Sequence, residues 1–429
     1  MKPLLPSTRR EFLRLGAKGV GLLAFSRFAP QFLVQSTLAA PAPEKDRRIL
    51  VLVQLAGGND GLNTVVPFDD PAYHALRPTL ALKEKDVLRL EGDDHLGLHP
   101  SLAALHELMH EGRLGIVQNV GYPNPNRSHF RSTEIWETAS ASEESLSTGW
   151  IGRYLDNACA GPDIPAFARD DEPDAIHVNA EVPQSFGGAL PHNTYGLTLG
   201  ARAGRAGRDE VALLERLASR PDAGLAAHPS HEHDEAANHA FLRATLMDSL
   251  VAEKRIQAII DANRPEAAYP GGRFAQSLRN VAGLIAAGLS TRVYFVSLGG
   301  FDTHASQLYA HANLLRQLSE GLAAFQKDLA ARGLDDQVLT MTFSEFGRRP
   351  NENESLGTDH GTAAPLFVMG KQIHGSLHGT APSLEIEKNA DLAFTTDFRS
   401  VYATVLDRWL EAPADSILGA RHERLGFLG

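Results

Sequence analysis

The most informative part of the sequence is TRVYFVSLGGFDTH at residues 291–304. Its run of β-branched and aromatic residues predicts a buried strand that ends at the two glycines. Asp302 and His304 follow at once, so the strand places a carboxylate and an imidazole at its carboxyl end. Both groups are ligands that zinc, manganese or iron bind in proteins.

Two further apolar runs lie beside acids or imidazoles. DQVLTMTF at 336–343 precedes Glu345, and Asp359 and His360 precede the run APLFVMG at 364–370. Ligands of an open α/β sheet bind outside the carboxyl ends of its strands. We therefore expect these side chains to meet at one edge of a sheet.

The order of elements predicts the fold class. Residues 49–55 form a continuous apolar run, as expected of a central parallel strand, and residues 307–333 form a long amphipathic helix that Gly333 ends. Alternating strands and helices predict an α/β protein with three layers, α/β/α, around a mostly parallel central sheet. Residues 41–429 would form one domain, with 160–272 as an inserted cap because their pattern is irregular.

Composition restricts the class of protein. The 429 residues are 43% hydrophobic, which allows a large buried core. The net charge of −11 and the lack of a dense basic cluster argue against nucleic acid as the main partner. Cys159 is the only cysteine, so the fold must be stable without an intrachain disulfide.

Residues 1–40 have the composition of an export signal. An arginine pair precedes a Gly- and Ala-rich apolar run, and small residues follow. The positions that match the twin-arginine pattern are Thr8, Arg9, Arg10, Phe12 and Leu13. The run at 15–25 is shorter than the roughly 20 residues of a membrane span. We expect cleavage near Ala40, a mature chain from about Pro41 without a membrane span, and the twin-arginine translocation machinery as a partner.

A polar stretch after the predicted strand at 113–121 offers a hydroxyl at a helix start. The segment YPNPNRSHFRSTEIWETA at 122–139 predicts a helix from about Ser128. Serine at this place is commonly a helix N-cap. The same position favours an attacking alkoxide or a bound phosphate, because the helix N-terminus is positive. Both interpretations remain open from the residues alone.

A histidine-rich segment offers a second place for a metal. Its members are His228, His231, His233 and His239. The segment is polar and has no helical or strand spacing that would fix a coordination geometry, so the sequence favours the sheet edge instead.

Five short strings together resemble the alkaline phosphatase and sulfatase superfamily. The strings are GGNDGLN (57–63), NRSHF (126–130), FDTH (301–304), SEFGR (344–348) and TDHG (358–361). The whole mature chain is similar to an exported bacterial family known only as a domain of unknown function with a sulfatase-like fold.

The resemblance implies a set of metal ligands. One site would be held by Asp302, His304 and His360. A second would use Asp60, Glu345 and the hydroxyl of Ser128. This site lacks one imidazole, because Phe346 stands where the superfamily has a histidine. The replacement ligand would be His129 or Asp359.

The resemblance also implies a reaction. Two divalent ions can hold the attacking and leaving oxygens of a displacement at phosphorus or sulfur. Ser128 would be the metal-activated nucleophile, and Arg127 or Arg131 would hold the other oxygens of a small anionic ester. The chain would hydrolyse phosphate esters, or related sulfate or phosphonate esters, with one or two ions, zinc before manganese, iron or calcium. NRSHFRS lacks the proline of the usual sulfatase string, which argues against that type of sulfatase.

Simpler interpretations stand beside these. Asp60, Asp302 and Asp359 have the positions of turn formers or helix caps. His304 and His360 could each be a buried imidazole that is hydrogen-bonded to backbone. Phe346 also favours a different class of function. The alternative is a non-catalytic family member that acts as a binding or assembly protein of the cell envelope.

Overall fold

The computed structural model describes residues 47–159, 173–178, 180–190, 192–197, 256–387 and 390–429. In chain order the strands are β1 (Ile49–Ala56), β2 (Val65–Pro67), β3 (Leu88–Arg89), β4 (Leu96–Leu98), β5 (Leu114–Gly121), β6 (Ala175–Val178), β7 (Thr194–Leu197), β8 (Val293–Gly299), β9 (Val338–Phe343), β10 (Arg348–Glu352), β11 (Thr358–His360), β12 (Ala364–Met369), β13 (Leu377–His378) and β14 (Thr396–Asp397). The α-helices are α1 (Pro71–Leu76), α2 (Ala103–His110), α3 (His129–Thr138), α4 (Trp150–Cys159), α5 (Arg273–Ala286), α6 (Gln307–Ala331), α7 (Phe398–Thr404) and α8 (Ala414–Leu418).

A nine-stranded sheet forms the centre of the molecule. Its strand order is β13-β5-β12-β9-β1-β8-β6-β7, with β14 also beside β5. β1 lies between β8 and β9 and is parallel to both. The two apolar runs that lead to Asp302 and Glu345 are therefore neighbours of the same central strand, and their carboxyl ends lie at one sheet edge, as the sequence predicts.

The predicted three layers are confirmed. Successive residues of β1 face opposite sides of the sheet: Val51 and Val53 belong to one apolar core, and Leu50 and Leu52 to the other. Residues of α2, α5 and α6 fill the first core. Aromatic residues of α3, α4 and α7 dominate the second. Burial of both faces explains why the strand is apolar throughout instead of alternating.

One strand runs against expectation. β12 is antiparallel to both β9 and β5, whereas the alternating pattern predicts a parallel strand. A crossover helix is needed between parallel neighbours, and between β9 and β12 the chain forms only the antiparallel hairpin of β10 and β11. The amino end of β12 therefore lies at the same sheet edge as the carboxyl end of β9. His360 reaches the predicted edge by this reversal.

The region expected to form a cap in part extends the sheet. β6 pairs in parallel with β8, and β7 pairs in parallel with β6. The run AIHV of β6 is fully buried, which explains why it lies in the sheet and not above it. Residues 160–172 and 198–255 of the expected cap lie outside the described residues, as do the signal at 1–40 and the cluster His228–His239.

The two helices predicted above, one at 307–333 and one from about Ser128, are confirmed. The long helix is α6, and Gly333 follows it with a φ of +67°, where the amide of Leu334 donates to the carbonyl of Leu329. Ser128 is the N-cap residue of α3 by backbone position, but its hydroxyl makes no capping hydrogen bond. Within the described ranges, no helix is both long and apolar enough to cross a membrane.

A buried carboxyl joins α3 to a neighbouring loop. Glu137 is 7% exposed and accepts hydrogen bonds from the backbone amides of Gln184 and Ser185. Burial raises the pKa of Glu137 to about 7, although both hydrogen bonds oppose the rise. The folded state therefore holds this proton more tightly than the unfolded chain.

The raised pKa of Glu137 predicts that the free energy of unfolding falls as pH rises toward about 7. Because the folded pKa lies above the unfolded one, the free energy of unfolding is highest below the unfolded value and falls as pH rises through about 7. Glu137→Gln keeps the acceptor oxygen and removes the titration. The free energy of unfolding of this variant, relative to wild type, should rise by about 2 kcal/mol between roughly pH 5 and pH 8 in urea titrations. An unchanged difference would contradict the assignment.

Candidate metal centre

Three side chains meet at the edge of the sheet where β8 ends and β12 begins. His304 Nε2 lies 2.9 Å from His360 Nε2. Asp302 Oδ1 lies 3.0 Å from the first of these atoms and 3.1 Å from the second. The three ligands that the sequence assigned to one site are thus brought together, and we call Asp302, His304, His360 and the neighbouring His129 the edge cluster.

The other ring nitrogen of each imidazole is held by an oxygen. His360 Nδ1 lies 2.9 Å from the carbonyl oxygen of Arg127, which can only accept. His304 Nδ1 lies 3.3 Å from a carboxylate oxygen of Asp359. In the neutral rings Nδ1 then carries the proton and Nε2 carries the lone pair that can bind an ion. When His360 is protonated, its Nε2 donates to Asp302. Such outer partners fix the orientation of metal-binding histidines.

His129 completes the arrangement from the start of α3. Its Nδ1 lies 2.9 Å from Glu345 Oε1, and its Nε2 lies 3.6 Å from Asp302 Oδ2. Hydrogen bonding to Glu345 is the main cause that raises the pKa of His129, against burial. Among the described residues, His129, Asp302 and His360 form a group whose ligand atoms all lie within 4.8 Å of one another.

The atoms of the edge cluster fit a divalent cation. Two imidazole lone pairs at 2.9 Å, facing one carboxylate oxygen, repel each other unless a proton or a cation lies between them. Ligands bound about 2.1 Å from one ion in a tetrahedral site are separated by about 3.4 Å, and the 2.9–3.1 Å separations observed here are close to that spacing. Nitrogen ligands with one carboxylate suit zinc, and also manganese or iron.

Arg348 balances part of the charge of Asp302. Its guanidinium is fully buried and lies 2.6 Å from Asp302 Oδ1. The same group donates to the carbonyls of Gly57, Gly58, Phe301 and Thr358. Burial raises the pKa of Asp302, but hydrogen bonds from Arg348 and His360 and the charge of Arg348 lower it to about 2. The carboxylate is therefore ionised over the physiological range.

Glycines let the loop after β1 approach this point. Gly57 and Gly58 have φ values of +118° and +84°. A Cβ atom at Gly57 would lie 2.4 Å from the backbone nitrogen of Asp302, and one at Gly58 would lie 2.4 Å from the ring of Phe346. The GGND string thus allows a close backbone contact with the loop that carries Asp302.

Glu345 lies behind His129. Its Oε1 accepts hydrogen bonds from the amide of Gly57 and from His129, and its side chain is 3% exposed. The other carboxylate oxygen is buried without a hydrogen-bond partner. Glu345 and Asp359 therefore support imidazoles in this structure, whereas the sequence placed both among the metal ligands.

Asp60 does not join the edge cluster. It is fully buried, and its Oδ2 lies 2.6 Å from Arg77. Burial alone would raise the pKa of Asp60, but the charge and hydrogen bond of Arg77, the charge of His311 and the hydrogen bond of Gln307 lower it. The sequence expectation of a second metal site at Asp60 is thus replaced by a buried ion pair, because α1 brings in an arginine that no motif marks.

The Asp60 ion pair is still connected to the centre. Gln307 donates to Asp60, and its carbonyl oxygen accepts from Thr303 and Thr358. Thr303 lies between two members of the edge cluster in sequence, and Thr358 begins β11. Through Gln307, Asp60 therefore helps to hold the two segments that carry the edge cluster in place.

The three residues expected to perform or assist the displacement lie at different places. Ser128 is exposed, and the residues on both sides of it touch the edge cluster, Arg127 by its carbonyl and His129 by its ring. The guanidinium of Arg127 pairs with Asp391. Arg131 instead donates to Ser145 and to carbonyls of the loop at 141–144 and pairs with Glu134, so it does not reach the centre.

Phe346 occupies the place where the resemblance expects an imidazole. Its ring is 1% exposed and lies 4.6 Å from the ring of His360 and 4.9 Å from that of His129, centroid to centroid. An apolar ring there packs against two imidazoles and offers no ligand atom. This arrangement favours one ion in place of two.

The chain matches the model of one protein family over most of its length. The family described as "Protein of unknown function (DUF1501)" matches residues 47–418. The chain belongs to the DUF1501 family. This membership confirms the resemblance to a domain-of-unknown-function family. A search of curated proteins found no match to this DUF1501 chain.

Solved structures similar to this DUF1501 protein are distant. A protein in the alkaline phosphatase superfamily from Vibrio parahaemolyticus is 12% identical, with 82% of this chain and 70% of that one covered and a TM-score of 0.31. The C-terminal periplasmic domain of EcEptC from Escherichia coli, in complex with zinc, is 8% identical, with 78% of each chain covered and a TM-score of 0.32. Alkaline phosphatase from the Antarctic bacterium TAB5 is 14% identical, with 76% and 92% covered and a TM-score of 0.25. At such scores the likeness carries no conclusion about activity.

Some residues of the DUF1501 centre carry no signal in the sequence. Arg348 is buried and pairs with Asp302. Arg77 directly follows α1, and Gln307 is the first residue of α6; neither belongs to one of the five strings. His129 was expected only as a substitute ligand, and its position directly after the predicted N-cap was the available clue.

Proposed function

We propose that this DUF1501 protein is an exported, metal-dependent hydrolase of phosphate esters or related sulfate or phosphonate esters. One observation carries the proposal: three imidazoles turn their Nε2 atoms toward one carboxylate while an oxygen acceptor holds each Nδ1. This preorganised donor set is typical of a metal site and has no evident structural purpose at an exposed sheet edge.

Asp302, His304 and His360 would hold the ion, with His129 as a further ligand, and zinc is the ion we favour. When bound, the ion supplies Lewis-acid polarisation of an ester oxygen. Asp302 is 45% exposed and His304 is 44% exposed, so an anionic ester can reach the site from solvent. Arg348 holds Asp302 in place from the protein side.

Ser128 is the proposed nucleophile. Its hydroxyl makes no capping bond, it is exposed, and it stands at the positive end of α3 between two residues that contact the edge cluster. Attack by this hydroxyl on phosphorus would form a covalent serine ester as the bond to the leaving alkoxide breaks, and the alkoxide takes up a proton to leave as the alcohol. Water then cleaves the serine ester, which releases phosphate and restores the hydroxyl.

The test combines metal analysis with a panel of phosphomonoesters, phosphodiesters and sulfate esters. We expect close to one equivalent of divalent metal and turnover of at least one ester class. Ser128→Ala should lower kcat by roughly 100-fold or more while the metal content stays the same, since the ligands are untouched. Ser416→Ala, an exposed serine on α8, is the matched control and should leave kcat unchanged. Equal turnover of Ser128→Ala and wild type would exclude Ser128 as nucleophile.

A second candidate function is supported by Phe346. An apolar ring at the expected imidazole position suits a non-catalytic member that binds an ion or a partner of the cell envelope. Metal without turnover on the whole ester panel would favour this function. Turnover that disappears on chelation and returns with zinc would exclude it.

Export rests on the amino-terminal sequence. Arg9 and Arg10 with the apolar run behind them support passage through the twin-arginine machinery in folded form. Replacement of both arginines by lysine should keep the precursor inside the cell, as fractionation and immunoblotting of periplasm and cytoplasm would show. Undiminished appearance of the mature chain in the periplasm would argue against this route.

A further inference from the structure

Two arginines beside the edge cluster share one carboxylate. Arg127 Nη1 lies 3.2 Å from Asp391 Oδ2, and Arg349 Nε lies 3.5 Å from Asp391 Oδ1. The two arginine side chains are 44% and 31% exposed. Neither contact has the geometry of a hydrogen bond, and Asp391 Oδ1 is buried without a hydrogen-bond partner.

Both arginines are fixed next to the metal ligands. The backbone carbonyl of Arg127 accepts the Nδ1 proton of His360. Arg349 follows Arg348, which is the cross-strand partner of His360 in the β10–β11 hairpin. The charge of Arg349 also contributes to lowering the pKa of Asp359, after hydrogen bonds from Asn353 and His304. The charge of Arg349 therefore acts on the carboxylate that holds His304 Nδ1, and Arg127 is the residue whose backbone holds His360 Nδ1.

Asp391 comes from a separate segment. It belongs to the stretch after β13, where the carbonyl of the next residue, Leu392, accepts a hydrogen bond from Thr362. No described residue other than these two arginines forms an ion pair with Asp391. The carboxylate is a weakly held anion between two guanidinium groups.

We propose that Arg127 and Arg349 form an oxyanion subsite for a second anionic group of the substrate, and that Asp391 occupies this subsite when no substrate is bound. The inference rests on the proposed ester hydrolysis, which defines the substrate, and extends that function. The substrate class becomes esters that carry, besides the group that is hydrolysed, a further phosphate or sulfate.

The charges and geometry favour exchange. A phosphate or sulfate offers three or four acceptor oxygens and up to two negative charges, and guanidinium groups bind such oxygens with two parallel hydrogen bonds. Asp391 offers one charge at 3.2 and 3.5 Å. An incoming oxyanion therefore gains hydrogen bonds that Asp391 does not make, and released Asp391 regains water.

Calorimetric titration of the full chain with inorganic phosphate tests the subsite. The protein is first treated with a chelator and then dialysed free of it, so that no metal ion binds the phosphate. Asp391→Asn should bind phosphate about threefold to tenfold more tightly than wild type, because the competing charge is gone. Arg349→Gln should bind it about tenfold more weakly, as expected for loss of a charged hydrogen-bond donor.

Two controls accompany the titration. Arg316→Gln removes another exposed arginine that pairs with Glu320 on α6, and it should not change phosphate affinity. Arg349→Lys keeps the charge but not the paired hydrogen bonds, and its affinity should lie between wild type and Arg349→Gln. Unchanged affinity in both Asp391→Asn and Arg349→Gln would overturn the subsite.

A kinetic measurement separates this inference from the function itself. For an ester with a second phosphate, Arg349→Gln should raise KM about tenfold with little change in kcat, and for the matched ester with one phosphate KM should not change. Equal effects on both esters would overturn the role in substrate selection. Absence of all turnover with the expected phosphate titrations would reject the proposed hydrolase but keep the oxyanion site.

Discussion

His360→Ala should lower the metal affinity of this protein by roughly 100-fold or more, because the proposed site loses one of its four protein ligands. In the edge cluster, His360 Nε2 lies 2.9 Å from His304 Nε2 and 3.1 Å from Asp302 Oδ1. Metal content after dialysis, measured by atomic emission, should fall to near zero. Ester turnover should fall with it.

Two variants make this result specific. Asp359→Asn leaves every ligand in place and weakens only the support of His304, so metal affinity should fall by about 10-fold to 100-fold, as for other outer partners. His95→Ala removes an exposed histidine that bonds Asp69 far from the centre in sequence and should retain full metal content. Full metal retention in His360→Ala would contradict the assigned site.

Asp60→Asn should destabilise the fold by about 3–5 kcal/mol, because it leaves the buried guanidinium of Arg77 without its counter-charge. Both side chains are completely buried, and the guanidinium also donates to Asn63 and to the carbonyls of Arg349 and Pro350. Urea unfolding measures the loss. Metal content, measured under conditions where the variant is folded, should stay near one equivalent because Asp60 is not a ligand.

The pH dependence and a surface pair serve as controls for this effect. The folded pKa of Asp60 is lowered from its ordinary value of 3.8, so the stabilisation is present above that value and is lost as pH falls through the folded pKa. The difference between wild type and Asp60→Asn should therefore shrink in acid. Glu320→Gln, which breaks an exposed pair on α6, should cost less than about 1 kcal/mol. Loss of metal from folded Asp60→Asn would restore Asp60 as a ligand.

Local patterns predicted the elements of this fold better than their directions. The apolar runs of β1, β8 and β9 and the length and end of α6 follow from hydrophobic periodicity and one glycine. The antiparallel direction of β12 does not, because it depends on a hairpin whose strands contain few apolar residues. The strand β6 was not predicted for a different reason, because four residues are too few to show a period.

The candidate site divides in the same way. Asp302, His304 and His360 follow strands or precede one, so strand ends located them. Roles were harder to predict, because Asp60 and Glu345 occupy strand ends as well and are distinguished only by what lies behind them. Arg77 and Arg348 reach those positions through tertiary packing, and their own sequence surroundings contain no sign of it.

Arg348 ties together the loops after β1 and β8 and the strand before β12, and this has a consequence for when the ion enters. In an unfolded chain only Asp302 and His304 are close, so a complete ligand set exists only after these distant segments have assembled. Under the proposed function the ion would bind during or after folding, and the compartment where the chain folds would supply it. If the precursor folds before translocation, the choice between zinc, manganese and iron is made in the cytoplasm.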